Sequence, residues 1–388
     1  MVTYVTTTPQ WLSRRGFVKA AALTALSARS QWLQAKAHSG LELAFVSALG
    51  HDRQPHGIHV FAVQSRIWKP LSFTASESPI ALALHPSGNY LYVLNELQEY
   101  EGLPTGTVEA FKVNKTSGQL TLLNRRPLAL SAIMPRHLAV SPFGNTIVVA
   151  VHGGGAYNTL PIFRDGSVGC VSSAMKETGC GPIPGHQNSA HPQSVLFDPT
   201  GNRVIATDLG SDRLRVFSLA ESDGSMATHF RTDLPSGSGP KHITLHPSGN
   251  FLYVDHVFDN SISGFHYDPA TGHIGERFTH MQGTFGDALA IHPQGDFLYS
   301  SHNGKLSVWQ IQSETGALHP LQSIELSVDN VRGISALPDG SNILALTSSG
   351  IQRFDVDAIS GCLTNSVIVA PISGARSIAF QASIRSAS

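Results

Sequence analysis

Cationic, amide and imidazole side chains recur at the starts of apolar segments along this chain. Pro135-Arg136-His137 and Pro240-Lys241-His242 each open such a segment, and His191 and Gln193 flank the proline that opens another. A guanidinium binds a carboxylate or phosphate through paired hydrogen bonds, an ammonium group stabilises a developing anion, and imidazole exchanges protons near neutral pH. These residue types suit acid–base chemistry on an anionic small molecule.

The apolar segments belong to a phrase that returns six times, as an apolar strand, a Pro-x-Gly turn and a second strand. Its prolines are Pro86, Pro142, Pro199, Pro247, Pro293 and Pro338, at spacings of 56, 57, 48, 46 and 45 residues. Pro presets φ and Gly supplies a permissive backbone angle, so the phrase predicts a hairpin. A third, alternating strand and a weaker fourth strand follow, and four strands at a period near 45 residues are typical of a propeller blade.

Counting the units predicts the architecture. A first unit without the Pro-x-Gly phrase spans Leu43 to Leu71, and Ala375 to Phe380 is left over as a single strand. We therefore expect an all-β fold, a seven-bladed β-propeller of four-stranded blades over residues 38–388. The C-terminal strand should join the first blade, which closes the ring and leaves no free edge. An open solenoid is the alternative, disfavoured because capping repeats are not evident.

The amino terminus carries a twin-arginine pattern, Ser13-Arg14-Arg15-Gly16-Phe17-Val18-Lys19, then an apolar run and a small-x-small site at Ala35-Lys36-Ala37. We expect residues 1–37 to be an export signal cleaved after Ala37, and the mature protein to be periplasmic or secreted. A basic tail on a cytosolic protein is the alternative. No later stretch is long and apolar enough to span a bilayer, so we expect no membrane association after cleavage.

Charge and cysteine content limit the classes of binding partner and the number of disulfides that we expect. Residues 1–37 hold 5 of the 26 basic residues and no acid, so 21 basic and 27 acidic residues remain, a formal net charge of −6. That sign argues against non-specific nucleic-acid binding. Charges are scattered and mark no partner surface. We expect a monomer. Three cysteines do not make a disulfide scaffold, although Cys170 and Cys180 could pair or stay as thiols.

In a propeller, residues just before the first strand and just after the second strand of each blade meet around one mouth of the central channel. Here those positions hold Glu96, Arg136, His137, His152, His191, Gln193, Asp208, Lys241, His242, Asp255, His256, Asp287, His302 and Arg332. The sequence thus predicts a polar, histidine-rich ring built from six blades. For each histidine the alternative is a bond that braces neighbouring backbone, and we assign His85, His246 and His292 of the His-Pro turns to turn structure.

Several phrases resemble one family. They are Leu84 to Glu96, Pro135 to Val140, His152 to Gly155, Asp198 to Arg203 with Asp208 to Arg213, and Gly239-Pro-Lys-His-Ile243. Together they are similar to the seven-bladed lactonases, which include bacterial propeller-type 6-phosphogluconolactonases and fungal carboxymuconate-cyclising enzymes. The resemblance covers residues 42–380. It implies a seven-bladed propeller that hydrolyses a small-molecule lactone. We expect no cofactor and assign no residue as a metal ligand.

The chain departs from that family where catalysis is usually assigned. Gln193 stands where the family has a histidine, Lys241 where it has an arginine, and Val257 where it has a glutamate. An acid or base is thus replaced by an amide, a bidentate cation by a point charge, and a carboxylate by an apolar group. Asp255, His256 and His191 lie nearby in sequence and are candidates to substitute.

Lactone hydrolysis needs a group that stabilises the carbonyl oxyanion, a base for water and an acid for the leaving alkoxide. As catalytic residues we expect Lys241 to stabilise the oxyanion and His256 or His191 to activate water. The expected substrate-binding set is Arg136, His137, His152, Gln193, His242, Asp255 and Arg332. Within it, Arg136 and Arg332 would hold a substrate anion. Export favours a sugar or carboxylated lactone over a phosphorylated one.

Two other functions stay open. A metal site could form if three of His137, His152, His191, His242, His256 and His302 converge. A non-catalytic propeller that binds a sugar or protein partner would explain the departures from the family pattern.

Overall fold

The computed structural model describes residues 42–50, 55–64, 67–220, 224–283, 286–326 and 331–381. Within these ranges 28 strands form seven four-stranded antiparallel sheets, which are the blades of a propeller. The prediction of an all-β, seven-bladed fold is confirmed. The predicted export signal at residues 1–37 lies outside the described residues. Among the residues that are described, no helix is long and apolar enough to cross a membrane.

Strands are numbered in chain order, and each blade is given from its innermost strand outward. Blade 1 contains β28 (Ala375–Gln381), β1 (Glu42–Ala48), β2 (Gly57–Gln64) and β3 (Ile67–Ala75). Blade 2 contains β4 (Pro79–Leu84), β5 (Tyr90–Asn95), β6 (Thr107–Val113) and β7 (Leu120–Pro127). Blade 3 contains β8 (Pro135–Val140), β9 (Thr146–Val151), β10 (Ala156–Pro161) and β11 (Ser173–Lys176). Blade 4 contains β12 (Pro192–Phe197), β13 (Arg203–Asp208), β14 (Arg213–Leu219) and β15 (Met226–Asp233).

The remaining blades follow the same order. Blade 5 contains β16 (Pro240–Leu245), β17 (Phe251–His256), β18 (Ser261–Asp268) and β19 (His273–Gln282). Blade 6 contains β20 (Ala288–Ile291), β21 (Phe297–His302), β22 (Lys305–Ile311) and β23 (Leu318–Glu325). Blade 7 contains β24 (Val331–Ala336), β25 (Asn342–Thr347), β26 (Gly350–Val356) and β27 (Leu363–Ala370).

The two chain ends share blade 1. Strand β28 pairs antiparallel with β1, from Leu43 opposite Gln381 to Ala48 opposite Ala375. The prediction that the C-terminal strand closes the ring is therefore confirmed. The pairing covers the inner edge of β1, which would otherwise expose unpaired backbone groups.

Most of the core lies between neighbouring blades. Four tyrosines on the middle strands are fully buried, and each hydroxyl donates to a backbone carbonyl of the next blade. The pairs are Tyr92 with Gly166, Tyr157 with Thr207, Tyr253 with Gly316 and Tyr299 with Gly361. Each bond satisfies a polar group that would be costly to bury alone.

The turn histidines also join blades. The Nε2 atoms of His85, His246 and His292 lie 3.0 Å from the carbonyl oxygens of Gly144, Gly295 and Gly340 in the following blade. Gly340 has φ of +74°, and a Cβ there would come within 2.5 Å of His292 Nε2. The assignment of these histidines to turn structure is confirmed, and each turn also binds its neighbour.

A bulge opens the inner strand of most blades. The pairing with the second strand shifts register after the first residue of β4, β8, β12, β16, β24 and β28. The residues passed over are Ile80, Arg136, Gln193 with Ser194, Lys241 with His242, Arg332 and Arg376. Bulges redirect side chains and are common beside active sites. Here they place polar groups on the central channel.

Candidate active site

A cavity of about 750 Å³ lies in the central channel, and all seven blades contribute to its lining. Its charged lining residues are Glu96, Arg136, Lys241, Asp287, Arg332 and Arg376. Four of these six are cationic, in a chain whose formal net charge is −1. The local excess of positive charge favours an anionic ligand.

Most of the predicted ring reaches this cavity. Of the predicted catalytic and binding residues, Arg136, His137, His152, Gln193, Lys241, His242 and Arg332 line it. Asp255 lies behind His242, while His191 and His256 are not part of the lining. Arg376 of blade 1 lines the cavity and was missed, so the ring comes from seven blades rather than the six expected.

Asp255 holds His242 in one orientation. Its Oδ2 lies 2.8 Å from His242 Nδ1, and its Oδ1 accepts the backbone N–H of His242 at 2.6 Å. Burial alone would raise the pKa of Asp255, but His242 and the nearby Lys241 outweigh it, so the pKa lies below its ordinary value. The ionised carboxylate accepts the Nδ1 proton. The lone pair of the imidazole is therefore on Nε2, and the ring is about one-third exposed (32%).

Lys241 precedes His242 in the same bulge. Its ammonium group donates to the carbonyl of Gly286 at 2.8 Å, and its backbone carbonyl accepts from Thr207 at 2.9 Å. These contacts hold the lysine between blades 4 and 6 beside the imidazole. The structure thus brings a fixed cation and an oriented histidine to one wall of the cavity.

His137 is a second, differently held imidazole. Burial lowers its pKa to about 4, with the neighbouring His242 adding to the effect. The backbone N–H of Val195 donates to its Nδ1 at 3.4 Å. His137 is therefore neutral at neutral pH with its proton on Nε2, which makes it a hydrogen-bond donor.

His152, His191 and Gln193 form a separate group. The two imidazoles stack with centroids 4.2 Å apart and an interplanar angle of 14°. Gln193 donates its amide to His152 Nδ1 at 2.6 Å, and His191 Nδ1 donates to the carbonyl of His152 at 3.1 Å. Burial, then His191 and Arg136, lower the pKa of His152 to about 4. Gln193 thus orients His152, and His191 braces it from outside the lining.

His256 lies away from the cavity. It is 1% exposed, and its Nε2 contacts the hydroxyl of Ser263 at 3.0 Å, which in turn lies 3.3 Å from His280 Nδ1. Successive residues of a strand point to opposite faces, so His256 and Asp255 on β17 cannot both face His242. Burial is the main cause that lowers the pKa of His256. The expected water-activating role has no geometric support at this position.

Three arginines and one carboxylate occupy another wall. Arg136 pairs with Glu96 at 3.1 Å. Arg332 Nη1 and Arg376 Nε are buried and have no partner within the described ranges. Burial lowers the pKa of Arg376, Arg332 and Arg136 add to this, and Glu96 opposes it. Arg332 and Arg376 both line the cavity, where guanidinium groups can bind a ligand anion.

The alternative of a histidine-held metal finds no matching geometry in the structure. Among the described residues, no three His, Cys, Asp or Glu side chains are grouped so that they could hold an ion. Cys170 and Cys180 are exposed, and both are free thiols.

The model of the family "Lactonase, 7-bladed beta-propeller" matches residues 45–380. This chain belongs to that lactonase family. Its curated relatives include the 6-phosphogluconolactonase of Bacillus subtilis, 29% identical over 199 residues, and that of Formosa agariphila, 26% identical over 228 residues. The matches cover 51% and 57% of this chain, and 54% and 63% of the two relatives. The chain thus spans little more than half the length of these relatives.

Solved structures agree on the fold of this lactonase-family chain. The periplasmic gluconolactonase of Pseudomonas aeruginosa superposes with a TM-score of 0.80 at 21% identity, covering 88% of this chain and 99% of that structure. A protein of Lactobacillus plantarum gives 0.78 at 19% identity, covering 88% and 100%. At these identities the likeness establishes the propeller fold.

Proposed function

We propose that this chain hydrolyses an anionic lactone, with His242 as the base that activates water. The observation that carries the proposal is the Asp255–His242 pair, which opens onto a cavity with four cationic side chains. Membership of the lactonase family supports the reaction class. The proposed base is therefore His242 on β16, and not His256 or His191, which do not line the cavity.

The reaction follows from the groups around the cavity. His242 Nε2 takes a proton from water, and the hydroxide oxygen bonds to the lactone carbonyl carbon. The negative charge moves to the carbonyl oxygen, where the Lys241 ammonium and the Nε2–H of His137 stabilise it. When the carbonyl re-forms, the ring C–O bond breaks and the alkoxide takes the proton from His242. Asp255 stabilises the imidazolium between these two transfers.

The substrate anion is proposed to bind at Arg332 and Arg376. Glu96 already pairs with Arg136, whereas the guanidinium groups of Arg332 and Arg376 line the same cavity and can bind a ligand anion. A carboxylate accepts bonds from guanidinium groups in a paired geometry. The twin-arginine pattern at Arg14 and Arg15 supports the further proposal that the mature protein acts outside the cytoplasm, where a carboxylated or sugar-acid lactone is a more suitable substrate than a phosphorylated one.

The test is hydrolysis of matched carboxylated and neutral lactones by residues 38–388, treated with a chelator. We expect turnover, with carboxylated substrates preferred. Arg332→Gln should raise KM for the carboxylated lactone about 10-fold to 100-fold, the loss of one charge-assisted interaction, and change KM for the neutral lactone little. Arg231→Gln, at a surface pair with Asp233, is the matched control. Binding of carboxylates without turnover of any lactone would instead identify a non-catalytic binding propeller.

A further inference from the structure

Thr207 joins the two bulges that carry the polar residues of blades 4 and 5. Its hydroxyl accepts the backbone N–H of Ser194 at 3.1 Å and donates to the backbone carbonyl of Lys241 at 2.9 Å. Ser194 belongs to the bulge of β12, and Lys241 belongs to the bulge of β16. Thr207 is fully buried and does not line the cavity, so its effect on a reaction there passes through the residues that it holds.

Asp255 has the corresponding place in blade 5. Thr207 is the second-last residue of β13, and Asp255 is the second-last residue of β17. Each stands opposite a bulge that passes over two residues, and each accepts the backbone N–H of the second one, which is Ser194 or His242. The second carboxylate oxygen of Asp255 orients His242 within the blade, whereas the hydroxyl hydrogen of Thr207 reaches the next blade.

This arrangement occurs in two of the seven blades within the described residues. The bulges that open β4, β8 and β24 pass over one residue, and the second-last residue of the facing strand is apolar there. These apolar residues are Leu94, Ala150 and Leu346. In blades 1 and 6 the place is taken by Ser47 and Ser301, whose buried hydroxyls have no partner among the described residues. The bonds to a bulge are thus found beside Lys241 and His242.

Lys241 is held at both ends as a result. Thr207 fixes its backbone to blade 4, and its ammonium group donates to the carbonyl of Gly286 toward blade 6. Without the Thr207 hydroxyl the bulge loses its bond to blade 4, while Asp255 still holds His242. The loss would therefore displace the cation and spare the orientation of the base.

We propose that Thr207 is a positioning residue for Lys241, and that its hydroxyl keeps the ammonium group where the carbonyl oxyanion forms. This inference rests on the proposed function, which assigns the oxyanion to Lys241. A displaced cation weakens stabilisation of the developing charge. Substrate binding should change little, because the proposed anion site is at Arg332 and Arg376.

The kinetics of Thr207→Val test the positioning role. Valine keeps the shape of threonine without the hydroxyl, so kcat for a carboxylated lactone should fall about tenfold to 100-fold while KM stays within about threefold. Thr207→Ser retains the hydroxyl and should keep kcat within about threefold of wild type. In a Lys241→Met background, Thr207→Val should lower kcat by less than about twofold further. A similar loss in both backgrounds would mean that Thr207 does not act through Lys241, and would overturn the proposal.

Thr159→Val is the matched control. Thr159 is also fully buried, and its hydroxyl lies 3.0 Å from the hydroxyl of Ser172, outside the lining of the cavity. This variant should lose stability similar to Thr207→Val in urea unfolding and keep wild-type kcat and KM. If Thr207→Val does not fold, Thr207→Ala removes the same hydroxyl from a smaller side chain and takes its place. An unchanged kcat in the folded variant, or an equal loss of kcat in Thr159→Val, would refute the positioning role.

Binding of a cyclic phosphonate separates this inference from the proposed reaction. The cyclic phosphonate analogue of a lactone is tetrahedral and anionic like the intermediate, and its binding is measured by calorimetry without turnover. Its Kd should rise about tenfold in Thr207→Val and stay unchanged when the same substitution is added to Lys241→Met.

The combined results distinguish the two proposals. The expected phosphonate binding without turnover of any lactone would overturn the reaction and support the positioning role. Turnover by the wild-type protein, with neither kcat nor phosphonate Kd changed in Thr207→Val, would support the reaction and overturn the role of Thr207. A wild-type protein that neither hydrolyses lactones nor binds the phosphonate would overturn both.

Discussion

Replacing Asp255 with asparagine should remove catalysis while leaving the cavity unchanged. Asp255 is fully buried, and it accepts two hydrogen bonds from His242, one from the backbone N–H and one from Nδ1. Asparagine has nearly the same shape, and its Oδ1 can still accept the backbone N–H. Its amide group would then point an N–H at Nδ1, which forces the imidazole proton onto Nε2. His242 would lose the lone pair that activates water.

The magnitude follows from the bonds that are lost. A positioned general base contributes on the order of 10² to 10⁴ in rate, so we expect kcat to fall about 10³-fold. KM should stay within about threefold, because Asp255 does not touch the cavity and binding is carried by other residues. Loss of one buried bond to a charged group lowers the free energy of unfolding by about 1.5–3 kcal/mol.

Steady-state hydrolysis of a carboxylated lactone, with kcat and KM measured separately, is the assay. Asp208→Asn is the matched control, because Asp208 is also fully buried and accepts backbone N–H groups of His191 and Gly210 one blade away. It should lose similar stability and little kcat. A kcat for Asp255→Asn within about tenfold of wild type, or an equal loss of activity in the two variants, would show that Asp255 does not orient a catalytic His242. His242→Gln combined with Asp255→Asn should be no slower than the slower single variant.

Two further predictions concern stability. The pKa of His137 falls to about 4 in the folded protein against an ordinary value near 6.5, so the unfolded chain binds the proton more readily and stability should decline as pH falls from about 6.5 to 4. Urea unfolding at pH 7 and 4.5 should show a smaller decline for His137→Asn, and equal declines would contradict this. His292→Ala loses the buried bond to the carbonyl of Gly340 and should lower the free energy of unfolding by about 1–3 kcal/mol. The exposed His319→Ala, on β23, should cost under about 0.5 kcal/mol, and comparable losses in both would count against the joining role of the turns.

The fold was predictable because its signal repeats. Each Pro-x-Gly phrase is weak evidence for a hairpin alone, but six copies at similar spacing leave few architectures that bury all the strands. The closing strand was also predictable from the strand count, because Ala375 to Phe380 was the one strand left without partners in a unit of its own. The extra contacts of the turn histidines with the next blade were not predictable, because they depend on how far each blade is rotated relative to its neighbour.

The site was predictable by position and less so by role. The residues around the first strands reached the cavity because blade geometry is shared. Arg376 was missed although it follows Ala375 as Arg136 follows Pro135, since its blade is assembled from both chain ends. His256 was assigned a role that its strand face does not allow. Because side chains alternate along β17, His256 and Asp255 point to opposite faces of the sheet. Which of the two faces His242 depends on the register shift between Pro240 and Ile243, and the sequence does not reveal that shift.

The two Pro-x-His phrases show where local sequence stops being informative. His137 and His242 occupy the same place in their phrases and lie side by side in the cavity, yet they differ in tautomer. The difference comes from the facing strand, because His137 pairs with Ala150 whereas His242 meets the carboxylate of Asp255. His137, which lacks a carboxylate partner, is neutral and donates from Nε2. His242, which bonds to Asp255, accepts at Nε2. Asp255, thirteen positions after His242, therefore determines which imidazole donates a hydrogen bond and which acts as the base. The Pro-x-His phrase does not contain this residue.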